Sequence, residues 1–302
     1  MFKKIYLFIV ITTLLGACTA PEKPDHLGNP FFSEYDTPYG IPPFELIETD
    51  HFMPAFEAAL EEHKSDIEAI VNQEAEPTFI NTIEAFERSG KMLDKVGSVF
   101  YNLNSSLTSD TMQAIARELS PMMSKHSDDI MLNPELFARI KSVYDNRDQF
   151  NLNDEQHMLL EKMYKRFVRG GALLDQTAQD QLRKLNEELS MLSLQFGENI
   201  LAETNKFEVV IDDKSRLEGI PDNFLAAAAE AATEAGYDGK WLFTLQKPSM
   251  LPVLQYANDR DLRETLFKGY IMRGDNNDDF DNKKIFKPHG KFACSKGSVV
   301  GV

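Results

Sequence analysis

Six histidines and two cysteines are the side chains of this 302-residue sequence best suited to metal or nucleophile chemistry. The histidines are His26, His51, His63, His126, His157 and His289. None is followed by Glu, so there is no H-E-x-x-H, the pattern that sets two imidazoles one helical turn apart on zinc with a Glu beside the metal-bound water. Glu62-His63 and Glu155-Gln156-His157 bring an acid near a His, but neither has a second His four residues on. His126 with Asp128 and Asp129 is the densest remaining cluster. It reads either as a weak metal site or as the solvated end of a helix, and the second reading fits a lone imidazole better. His63 lies on the apolar side of a predicted helix, where a partly buried His satisfied by hydrogen bonds is the commoner occupant. There is no G-x-S-x-G, no phosphate loop and no Cys placed as a nucleophile. No residue is therefore assigned a catalytic or metal-binding role.

The one covalent chemistry the spacing does indicate is lipidation of Cys18. Lys3 and Lys4 precede an apolar run from Ile5 to Leu15. Eleven residues are too few to span a bilayer as a helix, which takes about 20, but suit a secretory signal. Leu15-Gly16-Ala17-Cys18 then reads as a lipobox: small residues for the signal peptidase and a thiol to take a diacylglycerol. Several acyl chains, each methylene contributing about 0.8 kcal/mol, anchor stably. The competing reading is an ordinary secretory signal with an incidental Cys. On the first reading residues 1–17 are the signal. Residues 18–45, with Pro21, Pro24, Pro30, Pro38, Pro42 and Pro43, form a tether that favours extended chain. The expected location is the bacterial cell envelope, on the outer membrane facing the periplasm. Thr19, where enteric inner-membrane retention would want Asp, agrees with this.

Composition bounds the rest. With 42% hydrophobic and 26% charged residues the chain is globular and long enough for one large or two ordinary domains. The net charge is −16, although Lys3, Lys4 and five lysines after Asn282 are positive, so the body between is more acidic still. Such a body repels phosphates and excludes nucleic acid as a partner. Cys294 has no partner once Cys18 is lipidated, so no disulfide framework is expected.

The elements that would position any site are helices. Phe52, Phe56, Leu60, His63, Ile67 and Ile70 recur at steps of three and four after a cap at Thr49 or Asp50. Phe79, Ile83, Phe86, Gly90, Leu93, Val96, Phe100 and Leu103 predict a second helix, with Phe79, Phe86 and Phe100 as core on one face. A third starts at Ser109 or Asp110 and meets Pro121, which is expected to kink or break it. Met122, Met123 and Met131 read as packing. Asn133-Pro134-Glu135 opens a helix to about Tyr144. Asn153 with Gln156 is a capping box, and Gly170-Gly171 a stop. Thr177 to about Thr204 is the longest helix, with Leu182, Leu185, Leu189, Leu192, Phe196 and Ile200 along one side. Phe207 to Ile211 and Trp241 to Leu245 read as two short strands that could pair. Pro221–Gly236 and Pro252 to about Arg273 read as helices. The fold class is mainly α with one small β element.

Several of these stretches resemble the thimet oligopeptidase and neurolysin family of zinc metallopeptidases, and within it the bacterial peptidyl-dipeptidases (dipeptidyl carboxypeptidases). They are Pro77-Thr78-Phe79-Ile80-Asn81-Thr82-Ile83 with Glu87 and Ser89-Gly90, then Val99-Phe100-Tyr101-Asn102-Leu103, His126-Ser127-Asp128-Asp129-Ile130 and Leu136-Phe137-Ala138-Arg139-Ile140. Arg169-Gly170-Gly171-Ala172, Trp241-Leu242-Phe243-Thr244-Leu245-Gln246, Asn258-Asp259-Arg260 and Arg273-Gly274 follow in order. The similarity runs from about residue 29 to 285. It implies that residues 46–285 are the helical N-terminal lobe of a two-lobed enzyme that cleaves short peptides in a deep channel. It also implies that zinc, bound by H-E-x-x-H and a further Glu, belongs to a C-terminal catalytic lobe that this sequence does not contain. No catalytic residue carries over, and the chain is expected to be inactive alone. The alternative is a non-catalytic, lipid-anchored helical module that binds peptides or proteins.

After Ile285 the resemblance stops and the composition changes: residues 286–302 carry no acid and little periodicity. A natural tail is one reading; a reading-frame shift explains more. Synonymous codons exist for Phe286 to Val302 whose next frame reads a helix-like segment with N-L-R and A-x-L-L-G-Y, resembling the family's next helix. Residues 286–302 are thus expected to be a frameshifted tail.

Overall fold

The structure, a computed structural model, describes residues 28–285. Cys18 with the expected signal, His26, His289, Cys294 and the expected tail at 286–302 lie outside the described residues.

Helices dominate because the apolar residues keep a three-four spacing and the caps are in place. α1 (Phe52–Val71) is entered through a 3-10 turn, Thr49–His51. A π-helical turn, Phe79–Glu84, runs into α2 (Ala85–Glu87), and α3 (Lys91–Ser106) follows. α4 (Asp110–Met131) is capped by Ser109, whose hydroxyl accepts from Met112 N. α5 (Pro134–Asp145) is capped by Asn133 and α6 (Asp154–Arg169) by the Asn153–Gln156 box. α7 (Gln176–Lys206) is the longest helix, and its first turn is capped by Asp175. β1 (Glu208–Ile211), α8 (Asp222–Glu234), β2 (Trp241–Thr244), α9 (Lys247–Tyr256) and α10 (Arg260–Ile271) complete the order.

β1 and β2 pair antiparallel, with Glu208 opposite Thr244 and Ile211 opposite Trp241. A lone two-stranded ribbon is marginal in water. This one is held by a cluster in which Ile211 and Phe243 meet Leu217, Val253, Leu262 and Leu266.

Two further clusters fill the helical front. One gathers Phe31, Phe52, Phe56, Val96, Phe100, Met112, Ile115 and Leu119. The other gathers Ile67, Ile70, Phe79, Ile83, Ile130, Leu136, Phe137, Ile140, Leu160 and Phe167. α1 and α4 contribute to both, their first halves to the first cluster and their ends to the second.

Four sequence expectations are corrected. The single helix expected from Phe79 to Leu103 is two segments, because Gly90 takes a left-handed φ of +70° and ends one run before α3 begins. Phe79 and Phe86 therefore pack in one core and Phe100 in the other, so the three share no common face. Of the two outcomes expected at Pro121, a kink or a break, the break does not occur: α4 continues ten residues past it. The helix expected from Pro252 to Arg273 starts earlier, at Lys247, and divides at Ala257–Asp259. There Asp259 caps α10 by accepting from Leu262 N, while Asn258 N donates to Glu218 O.

Residues 28–47 hold little regular structure, yet part of the segment is packed on the body. Phe31 is buried in the first cluster, Asn29 Nδ2 donates to His51 O, and Lys95 Nζ donates to Phe31 O and Ser33 O.

Candidate functional site

The sequence motif around Pro77 turns out to be architectural. Thr78 and Asn81 cap one another, Thr78 Oγ1 accepting from Asn81 N and Asn81 Oδ1 accepting from Thr78 N. Phe79 and Ile83 go into the core between them. Arg139, only 9% exposed, donates to Gln73 O, Ala75 O and Asn81 Oδ1, so one guanidinium satisfies the carbonyls of the turn that follows α1.

Neither reading of His126, Asp128 and Asp129 holds: the three do not gather as metal ligands, and the expected solvated helix end is partly packed, with Asp128 buried. Asp129 faces Lys125 and Arg183, and Asp128 accepts from Asn186 Nδ2. Burial alone would raise the Asp129 carboxyl; hydrogen bonds from Lys125 and Arg183 outweigh it and hold the group below its ordinary value. His126 points the other way, into the interface with α1. Its Nε2 lies 3.0 Å from His63 Nδ1, and His63 Nε2 lies 3.2 Å from Ser89 Oγ. Ser89 donates to Phe86 O at 2.6 Å, and Gly90 N donates to Asp66 Oδ2. The hydrogen bonds expected for His63 are thus present, with His126 as an unforeseen partner.

This arrangement is not a nucleophile. The Ser89 proton is committed to a carbonyl, so Ser89 accepts from His63 rather than offering it a proton, the reverse of what an activated hydroxyl needs. Burial pushes both imidazoles below their usual pKa. Around His63 the acids Asp66, Asp94 and Glu62 oppose this without prevailing; at His126, His63 and Lys125 add to it and Asp129 opposes it.

Two cavities flank α7. One, of about 510 Å³, lies against α4 and is lined by Pro121, Met122, Lys125, Asp129, Arg183 and Glu187. The other, of about 630 Å³, lies between the end of α7, the β-ribbon and α10. Glu203 at its wall is buried and accepts from Gly274 N and Asn276 Nδ2, tying α7 to the segment after α10.

Among the described residues the donors that lie together do not suit zinc. Among the described residues one trio, Glu48, Asp50 and His51, holds its ligand atoms within 4.8 Å of each other. It is largely exposed, and His51 Nδ1 is occupied in capping the 3-10 turn Thr49–His51, accepting from Glu48 N. A closed or open zinc site needs three or four free donors with a supporting shell. His157 is exposed on α6 and stands apart.

No family model matches the sequence. Over 273 residues the chain is 35% identical to the dipeptidyl carboxypeptidase of Escherichia coli (strain K12), a match covering 90% of this chain and 40% of that protein. The resemblance to the thimet oligopeptidase family is real. The chain is also 29% identical to the organellar oligopeptidase A of Arabidopsis thaliana, over 90% of this chain and 34% of the relative. With the oligopeptidase A of E. coli the identity is 28%, over 83% of this chain and 37% of the relative. This chain therefore spans about two fifths or less of the length of these relatives.

The His63–His126 pairing escaped the sequence reading because the two residues are 63 positions apart. A signal existed: His126 continues the spacing of Met112, Ile115, Leu119 and Met123 toward Ile130, an apolar face on which a lone His is half-buried.

Proposed function

We propose that residues 29–285 are the helical front portion of a zinc-dependent peptidyl-dipeptidase or oligopeptidase whose full length cleaves short peptides. We further propose that these 302 residues do not cut peptides by themselves. One observation carries the reading: the match fills 90% of this chain but only 40% of the dipeptidyl carboxypeptidase, and the stretch in common holds no H-E-x-x-H. The zinc ligands then belong to the part of the relatives without a counterpart here. The helices described contribute a wall that limits access to short, unfolded peptides. Cys18 in its lipobox setting supports anchoring of this lobe in the bacterial cell envelope.

A chimera tests the assignment. In it, residues 29–285 replace the matched region of the E. coli dipeptidyl carboxypeptidase. The expected result is a folded enzyme that still releases dipeptides. A folded chimera that binds zinc but is dead towards every short peptide would contradict the reading.

A further inference from the structure

α1 and α4 each pass from one hydrophobic core to the other. α1 leaves Phe56 in the first core and re-enters at Ile67; α4 leaves Leu119 and re-enters at Ile130. Between these points the two helices face each other through His63 and His126, their ring centroids 4.9 Å apart. Gly90, the break before α3, closes over the same spot with Asp66 on its N–H. The waist between two apolar cores is thus polar and titratable.

We propose that the His63–His126 pair is an acid-operated clasp at this waist, closed when His63 is neutral and released when both imidazoles are protonated. The hydrogen bonds dictate the direction. Ser89 spends its proton on Phe86 O, so it accepts from His63 Nε2–H. That leaves His63 Nδ1 bare, and His126 Nε2–H donates to it. A first proton goes to His126 Nδ1 and keeps this bond. A second must go to His63 Nδ1, where it meets the His126 N–H donor to donor, and the link between α1 and α4 is lost. Two such groups titrate as a pair.

The charged groups facing the pair come from each neighbouring element: Glu62 and Asp66 on α1, Asp94 on α3, and Lys125 and Asp129 on α4. The acids favour proton uptake, but burial outweighs them and both imidazoles lie below 6.5 in the folded chain. Above 6.5 folded and unfolded chains are both neutral here and the stabilisation is complete. As pH falls below 6.5 the unfolded chain takes its protons first, and stability is lost down to the folded values.

The test is amide exchange of the full chain, corrected for intrinsic rates, at about pH 7.5 and about pH 5, spanning the range in which histidine titrates. Peptides covering the middles of α1 and α4 and the Ser89–Gly90 break are expected to exchange faster in acid, by about tenfold per pH unit for each proton taken up. His63→Gln supplies a carbonyl to accept from His126 and an amide to donate to Ser89 without titrating, and should reduce the acid response to the single proton of His126. Unchanged wild-type protection across the range, or the same acid response in His63→Gln, overturns the proposal. Imidazole nitrogen shifts of the unaltered chain give a check that needs no variant: His63 should be the Nε2–H tautomer at neutral pH, and an Nδ1–H tautomer overturns it.

Discussion

Gly90 lies against the face of His63: a methyl group on its α-carbon would stand 2.9 Å from ring atoms Cγ and Nδ1. The backbone there is also left-handed, at φ +70°. Gly90→Ala therefore combines a backbone penalty with a clash against a ring held on both sides. The two together should cost about 3 kcal/mol. Gly236→Ala is the control, since φ is +82° but nothing lies within 4 Å of the added carbon. Its loss should be confined to the backbone, about 1 kcal/mol. Urea midpoints at constant slope measure both, and equal losses would show that the His63 contact costs nothing.

Arg139 carries the turn after α1. Its charge is buried against the carbonyls of Gln73 and Ala75 and the amide oxygen of Asn81. Arg139→Met keeps the packing volume but strands those acceptors. Losing a buried charged donor with several partners should cost about 3 kcal/mol. Loss of the same size in Arg139→Lys would show that the fork geometry matters, whereas an unchanged Met variant would mean that water satisfies the turn.

Much of this architecture was legible in the sequence, and the failures share one physical cause. Ser109, Asn133, Asn153 with Gln156, and the pairing of the two short strands were read correctly because caps and strand signals are local. The break at Gly90 was missed because Phe86 and Leu93 keep helical spacing across it. The division at Ala257–Asp259 was missed although Asp259 is a good cap, because the apolar period continues into α10. Pro121 does not break α4, which is anchored on both sides of it, by Leu119 in one core and Ile130 in the other. The His63–His126 contact joins residues that only tertiary packing brings together. The resemblance motif at Pro77 was legible as a motif, but its meaning, a reciprocal cap of Thr78 and Asn81 over a buried Ile83, needed the structure.

Cys18 is the residue proposed to take the diacylglycerol. Expressed in a bacterial host with labelled palmitate, the chain should incorporate label and fractionate with membranes. Cys18→Ala should do neither and should accumulate with its leader uncleaved. Label incorporated into the Ala variant at the wild-type level would remove the anchor from the account. Among the described residues no helix is long and apolar enough to cross a membrane.

The proposal most directly open to measurement is that these 302 residues do not cut peptides by themselves. The four histidines within the described region are spoken for or isolated: His51 caps a 3-10 turn, His63 and His126 bind each other, and His157 stands alone on α6. The direct measurement takes the purified 302-residue chain, strips it with a chelator, adds one equivalent of zinc, and follows an internally quenched short peptide with a free C-terminus. The expected result is no turnover above buffer and no stoichiometric zinc retained after desalting. Peptide cleavage that zinc restores and chelator abolishes, in this chain alone, would contradict the account.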